Sequence, residues 1–177
     1  LVRDQRRAGQ LGRLAELDRL AAVEHVVDRH VCRAARDPAA EFEAGHIPGA
    51  FYLNLPELVD SNDPRPGMLP PPEKFASRMQ TLGLGDGSRI VVYDNSPLRT
   101  SARAWWMFHV FGATNVAILD GGLGKWVAEK RPLETGKHTT RHRHFTAWKD
   151  ATAVVTRDEV LANLKSKAAQ VVDARSM

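Results

Sequence analysis

The stretch Glu41-Phe42-Glu43-Ala44-Gly45-His46-Ile47-Pro48-Gly49-Ala50 contains the end of one structural element and the start of the next. Asp37-Pro38, just before it, favours a helix start with proline in the first turn, and Gly45 would end that helix. Residues 50–53 are then expected to form a strand. The order of helix, glycine-containing turn and strand begins a pattern that continues along the chain.

Strands and helices alternate through the following residues. Apolar runs at 25–28 and 89–93 are typical of strands, and the second is of the kind buried on both faces in a parallel sheet. After a proline-rich loop at 60–72, the pattern predicts helices at 73–82, 100–111 and 122–130, and a strand at 115–119. Helical spacing of Leu11, Leu14, Leu17 and Ala21 predicts an additional amphipathic helix. This alternation predicts an α/β fold, an open sheet of mostly parallel strands with helices on both faces.

Composition indicates an ordinary globular protein. Of 177 residues, 43% are hydrophobic and 26% are charged. The sequence has neither an apolar run of the roughly 20 residues needed to span a membrane nor a secretory signal. The single cysteine, Cys32, excludes an internal disulfide, so we expect a reducing, cytoplasmic location.

Basic residues concentrate between residues 130 and 149, where six Lys/Arg face the single acid Glu134. We interpret this stretch as a solvated basic linker. Nucleic-acid binding is disfavoured because no aromatic ladder accompanies the charges. The loose spacing of His138, His142 and His144 could hold zinc, but with no cysteine or acid expected nearby we predict no metal and no cofactor.

Further motifs follow the opening stretch in a fixed order, at residues 68–70 (MLP), 91–94 (VVYD), 105–108 (WWMF) and 119–123 (LDGGL). Together they resemble the first domain of a tandem rhodanese-type sulfurtransferase, the family of thiosulfate and 3-mercaptopyruvate sulfurtransferases. The resemblance implies a rhodanese-like fold. It also implies an enzyme that moves sulfane sulfur from thiosulfate or 3-mercaptopyruvate to cyanide or a thiol through a cysteine persulfide. The implied partners are a small anionic sulfur donor, the thiol or cyanide acceptor and an intramolecular second rhodanese domain, with no nucleic acid and no membrane.

The resemblance also suggests how the chain is divided. Residues 1–131 would form the non-catalytic first domain, 132–155 a basic interdomain linker and 156–177 the truncated start of a second domain. Thr156 and Glu159 form a capping-box signature, and the helix that follows leads to a strand-like run at 170–173. We therefore expect a fragment whose persulfide cysteine lies in a missing second domain. Its tail is expected to be loosely held, or docked through Val160, Leu161 and Leu164.

The persulfide cysteine of the family follows the strand predicted at 89–93, at the carboxyl end of the sheet where ligands bind. Asp94 holds that position, and a carboxylate cannot form a persulfide. We therefore expect no catalytic residue in this chain and interpret Asp94 as an acid that satisfies loop or helix amides. Cys32, despite basic neighbours, is interpreted as an incidental thiol. The degenerate active-site loop would consist of Asp94, Asn95, Ser96, Leu98, Arg99, Thr100 and Ser101.

Two positions depart from the mercaptopyruvate sulfurtransferases, whose first domain lends an acid and a histidine to the interdomain site. By resemblance these positions are Pro56 and Gly67, and neither side chain can move a proton. With Met68 and Leu69 they would line the interdomain cleft. His46, Gly49 and Arg103 are motif residues with expected structural roles, His46 as a hydrogen bonder in a turn and Arg103 as a salt-bridge partner.

Two alternatives remain open. The first is a non-enzymatic rhodanese-like binding or regulatory module. A second motif like residues 45–49 after Met177, followed by a loop led by cysteine, would favour the enzyme instead. The other is a cysteine phosphatase of related fold, which needs a cysteine and an arginine closing the loop. Arg99 and Arg103 are present without that cysteine, so this alternative ranks last.

Overall fold

Four parallel strands form a single sheet in the computed structural model of the protein, which describes residues 25–29 (backbone only), 37–95 and 100–173. The strands are β1 (His25–Arg29), β2 (Ala50–Tyr52), β3 (Ile90–Asp94) and β4 (Val116–Ile118), in the order β2-β1-β3-β4. Across the sheet, Val27 pairs with Phe51 and with Val92. Because the strands are parallel, their carboxyl ends share one edge of the sheet.

Helices connect the strands and flank the sheet. They are α1 (Pro38–Ala44), α2 (Pro72–Thr81), α3 (Ser101–Val110), α4 (Gly122–Ala128) and α5 (Arg157–Ser166), with a 3₁₀ turn at Ala151–Ala153. The start of α1 is as predicted: Pro38 is its first residue, and Asp37 Oδ1 accepts hydrogen bonds from the amides of Ala39 and Ala40. The helix predicted around residues 11–21 lies outside the described residues.

Side chains of β3 alternate between two apolar cores, one on each face of the sheet. Ile90 and Val92 belong to the larger core with residues of α2 and α3, including Phe75 and Phe108. Tyr93 belongs to the smaller core with residues of α1 and α4. Every residue of β3 is buried. The predicted α/β fold, a parallel sheet with helices on both faces, is confirmed.

The segment predicted as a solvated linker packs against the sheet domain. Phe145 is 4% exposed and completes the larger core. The amide of Trp148 donates to the carbonyl of Phe111 at 3.1 Å, and Thr146 donates from both its amide and its hydroxyl to Asp86. The expectation of a solvated segment is therefore wrong at Phe145 and at the backbone groups that bond to the domain, although basic side chains such as Arg141 are exposed. The boundaries at 131 and 155 stay predictions.

Helix α5 begins as its capping box predicts, since Thr156 accepts from the Glu159 amide and the Glu159 carboxylate accepts from the Thr156 amide. Its apolar side chains do not dock on the domain: Val160, Leu161 and Leu164 are 37%, 57% and 60% exposed. Residues 170–173 are irregular and exposed, so the strand predicted there is absent. A strand needs a hydrogen-bonding neighbour, and the described residues provide none there. Within the described ranges, no helix is long and apolar enough to cross a bilayer.

Candidate functional site

An open groove lies at the carboxyl ends of β3 and β4, where a parallel α/β sheet binds its ligands. Its volume is about 660 Å³. The residues that line it come from the ends of these strands and the first turns of the helices that follow, namely Asp94, Asn95, Ser101, Ala102, Ile118, Leu119, Asp120, Gly121, Gly122 and Gly124. Three residues of the predicted active-site loop, Ser96, Leu98 and Arg99, lie outside the described residues, as does Cys32.

Asp94 closes β3 and holds the start of α3. Its side chain is almost completely buried. Its Oδ2 accepts the Ser101 amide at 2.5 Å and the Thr100 hydroxyl at 3.1 Å. Ser101 is the first residue of α3, so the carboxylate occupies the position at a helix N-terminus where a negative charge is stabilised. This geometry agrees with the interpretation of Asp94 as an acid that satisfies helix amides.

Gly122 lets the chain pass against the end of β3. Its φ is +54°, and a Cβ at this position would overlap the carbonyl oxygen of Asp94. Because a side chain would need both a left-handed backbone and that space, glycine is required where α4 begins. The sequence contains the signal in the pair Gly121-Gly122, but its role against Asp94 was missed because it depends on a contact between distant residues.

The chemistry of the groove is limited by what lines it. Its described side chains include two carboxylates and no thiol. The Asp94 carboxylate binds the start of α3, and the Asp120 carboxylate lies 2.9 Å from Lys125 Nζ. The described lining residues therefore cannot carry sulfur as a persulfide, since that step needs a thiolate.

Arg103 connects α3 to the predicted cleft wall. Its Nη2 donates to the carbonyl of Gly67, and its guanidinium lies 5.9 Å from the Trp106 ring centre. The partner that the structure gives Arg103 is thus a backbone carbonyl rather than the expected carboxylate. Of the other wall residues, Met68 and Leu69 are half-buried, while Pro56 is exposed in the loop between β2 and α2.

His46, in the turn between α1 and β2, is wholly buried. Its Nδ1 donates to the Phe42 carbonyl at 2.8 Å, and its ring stacks on the Phe42 ring with centres 4.0 Å apart. Its Nε2 lies 3.4 Å from His138 Nε2. Gly49, with φ +76°, donates its amide to Glu134 Oε2 at 2.8 Å. These contacts agree with structural roles for His46 and Gly49.

Glu134 corrects one expectation about the histidines. Its Oε2 lies 3.1 Å from His138 Nε2, so the statement that no acid is near them is wrong. The hydrogen bond from the Gly49 amide is the main cause that holds the pKa of the Glu134 carboxyl below its usual value; burial opposes it, and the nearby His138 and His46 lower the pKa further by smaller amounts. His142 and His144 are exposed, and His144 contacts Thr146 instead. The three histidines predicted as a loose set are therefore not brought together.

Comparison with known proteins gives one consistent answer. The family model described as "Rhodanese-like domain" matches residues 17–129. Human 3-mercaptopyruvate sulfurtransferase is 38% identical over 146 residues, which is 81% of this chain and 49% of that protein. The Escherichia coli K12 protein of the same name is 40% identical over 140 residues (79% and 50%). Chicken thiosulfate sulfurtransferase is 39% identical over 142 residues (79% and 49%). The chain thus spans about half the length of these relatives.

Solved structures agree with the sequence relatives. The crystal structure of the 3-mercaptopyruvate sulfotransferase SseA from Escherichia coli superimposes with a TM-score of 0.81 at 37% identity. The superposition covers 86% of this chain and 59% of that one. The Tum1 protein of Saccharomyces cerevisiae, at 22% identity and a TM-score of 0.74, shares the fold. The family match, the sequence identities and the superposition on SseA together show that the chain belongs to the rhodanese-like domain family, and its relatives are sulfurtransferases.

Proposed function

We propose that this chain forms the non-catalytic first domain of a two-domain sulfurtransferase, with the persulfide cysteine carried by the second domain. The complete enzyme transfers sulfane sulfur by a two-step reaction. A cysteine thiolate attacks the outer sulfur of thiosulfate and releases sulfite, and cyanide then takes that sulfur as thiocyanate and frees the thiolate. With 3-mercaptopyruvate as donor, pyruvate leaves in place of sulfite, and a thiol can replace cyanide as acceptor.

The observation that carries the proposal is which residue occupies the carboxyl end of β3. By family resemblance this is where the sulfur-carrying cysteine stands, and here Asp94 stands there with its carboxylate on the Ser101 amide. The N-terminus of α3, which in the catalytic domain would stabilise a thiolate, here binds the Asp94 carboxylate. An enzyme of this family needs its cysteine elsewhere, and a second copy of the domain supplies it.

Two further features support a second domain. The chain matches about half of each curated relative, so those proteins contain as much again. In addition, α5 leaves Leu161 and Leu164 more than half exposed, together with Val171 and Val172. A short helix with an exposed apolar face is marginal alone, and the remainder of a second core would bury it.

Regarding the donor, we propose thiosulfate over 3-mercaptopyruvate. The basis is the pair Pro56 and Gly67, which stand where the resemblance places an acid and a histidine of the mercaptopyruvate enzymes. Gly67 has no side chain, and its carbonyl already accepts from Arg103. A substrate carboxylate would find neither a proton donor nor a cationic side chain at these two positions.

Thiocyanate formation from thiosulfate and cyanide tests the proposal directly. The purified chain is expected to show no turnover above the protein-free rate, and a Cys32→Ser variant is expected to behave identically. Turnover that disappears in Cys32→Ser would overturn the proposal, because the first domain would then carry its own nucleophile. The same assay on the protein with its second domain should show turnover, with a larger kcat/KM for thiosulfate than for 3-mercaptopyruvate.

A further inference from the structure

Three side chains able to bind a metal meet on the side of the domain where residues 132–150 cross it. Each of His46, Glu134 and His138 offers one ligand atom, and these atoms lie within 4.8 Å of one another. His46 is buried, whereas Glu134 and His138 keep 40% and 27% of their side-chain surface exposed. The cluster therefore has a closed inner side and a solvent-accessible outer side.

The backbone holds this cluster in place. His46 and Glu134 form an antiparallel bridge, with amide-to-carbonyl distances of 2.9 and 2.8 Å in the two directions. His138 follows Glu134 by four residues, and its ring lies nearly perpendicular to the neighbouring rings of His46 and Phe51. Two of the three side chains are thus attached to paired backbone, and the third is positioned by its neighbours.

The distances match those between ligands of a single ion. Two ligand atoms bound about 2.0–2.2 Å from one metal at tetrahedral angles lie roughly 3.3–3.6 Å apart. The two imidazole Nε2 atoms are 3.4 Å apart, and His138 Nε2 is 3.1 Å from Glu134 Oε2. The third separation, between the ligand atoms of His46 and Glu134, is within 4.8 Å, and rotation of the partly exposed Glu134 side chain brings its carboxylate to bonding distance of a shared ion.

The hydrogen bonds that hold the ligand side chains are also those of a metal site. A metal-binding histidine usually donates its other ring N–H to a carbonyl or carboxylate, which turns its lone pair toward the ion. His46 Nδ1 does this with the Phe42 carbonyl, leaving Nε2 as an acceptor that faces His138 and Glu134. The Gly49 amide in the same way orients the Glu134 carboxylate.

We infer that His46, Glu134 and His138 bind a divalent transition-metal ion, with Zn²⁺ as the chemistry that fits two imidazoles and one carboxylate. Water completes the coordination on the exposed side. The ion joins the loop after α1 to the segment that carries Phe145, so it acts as a clamp that stabilises the folded domain. This site lies apart from the groove beside Asp94 and takes no part in sulfur transfer.

Metal binding to the tag-free chain in a Cys32→Ser background tests the inference. Titration with Zn²⁺ alone by calorimetry should show a single ion per chain, and Co²⁺ should give the intense visible absorption of a tetrahedral site. His138→Gln and Glu134→Gln should each weaken Zn²⁺ binding at least about tenfold, since even outer-shell changes cost that much. His142→Gln, an exposed histidine of the same segment, is the matched control and should bind as the parent does.

Thermal unfolding with and without Zn²⁺ provides a second measurement. A ligand that binds the folded state raises Tm, so Zn²⁺ should raise it in the parent and in His142→Gln but not in the two ligand variants. Glu134→Gln retains an acceptor for the Gly49 amide, which keeps a folded variant available if His138→Gln unfolds. Absence of Zn²⁺ binding in the parent, or equal affinity in parent and Glu134→Gln, would overturn the inference.

Discussion

Replacing Phe145 by alanine measures how much of the domain depends on the segment after α4. The Phe145 side chain is 4% exposed, and its ring meets the Phe75 ring at 5.8 Å in an edge-to-face arrangement. Phe75 in turn stacks on Phe111 at 4.3 Å, so Phe145 closes an aromatic cluster at the centre of the larger core. The sequence instead predicted a solvated linker at this position.

The expected loss follows from the buried ring. A Phe→Ala change in a packed core removes the transfer free energy of the ring and leaves a cavity, at about 3–5 kcal/mol. This total includes roughly 0.5–1.5 kcal/mol from the edge-to-face contact. For a domain of this size, the free-energy change corresponds to a decrease in Tm of roughly 10 °C.

Urea unfolding followed by far-UV circular dichroism gives the free energy of unfolding for parent and variant. Trp148→Ala is the control, because Trp148 lies three residues further along the same segment and is 78% exposed. It should change stability by less than about 0.5 kcal/mol. A loss below about 1 kcal/mol for Phe145→Ala would show that Phe145 is not part of the core and that residues 132–150 form a linker.

Four other outcomes are expected. The Thr146 amide and hydroxyl hold the pKa of Asp86 below its usual value, so their contribution to stability is complete above about pH 4 and is lost as pH falls through the lowered pKa. Asp86→Asn should therefore flatten the acid side of a plot of Tm against pH, and an unchanged slope would contradict this. Gly122→Ala should lower the free energy of unfolding by about 1 kcal/mol or more in urea, since φ at Gly122 is +54° and a Cβ would meet the Asp94 carbonyl. Gly124→Ala is the control: a Cβ there meets nothing within 4 Å, so this variant should be neutral or stabilising. Asp94→Ala should lower the free energy of unfolding by about 0.5–2 kcal/mol through loss of the cap at the start of α3. Asp94→Cys should give little thiocyanate, because Pro97 lacks an N–H to donate to a persulfide. Rapid turnover by Asp94→Cys would count against that view.

Much of the fold was predictable because its signals are local. The runs at 25–28 and 89–93 correspond to β1 and β3 to within a residue or two, and the capping residues Asp37 and Thr156 mark the true helix starts. Capping depends on groups two or three residues apart, and burial of a strand on both faces is visible as an uninterrupted apolar run. The same reasoning failed at 170–173, where an apolar run has no neighbouring strand among the described residues.

Some features of the candidate site were also predictable from local sequence, and others were not. The position of Asp94 after a buried strand was readable from the motif order, and so was its suitability as a helix acid. That its carboxylate binds the Ser101 amide, and that Gly122 passes against its carbonyl, depends on contacts formed only in the folded chain. The cluster of His46, Glu134 and His138 could not be predicted, since His46 and His138 are 92 positions apart and the segment between 132 and 150 has no periodic pattern.

Residue pattern alone thus specifies the class of fold, the succession of strands and helices along the chain, and the absence of a thiol at position 94. Each of these depends on residue type and on spacing within a few positions, which the chain carries wherever it folds. That residues 132–150 complete the larger core through Phe145, and bring Glu134 and His138 beside His46, is visible only in the folded molecule. Those contacts join distant segments, and their energies come from burial and backbone pairing that exist only once the sheet has assembled.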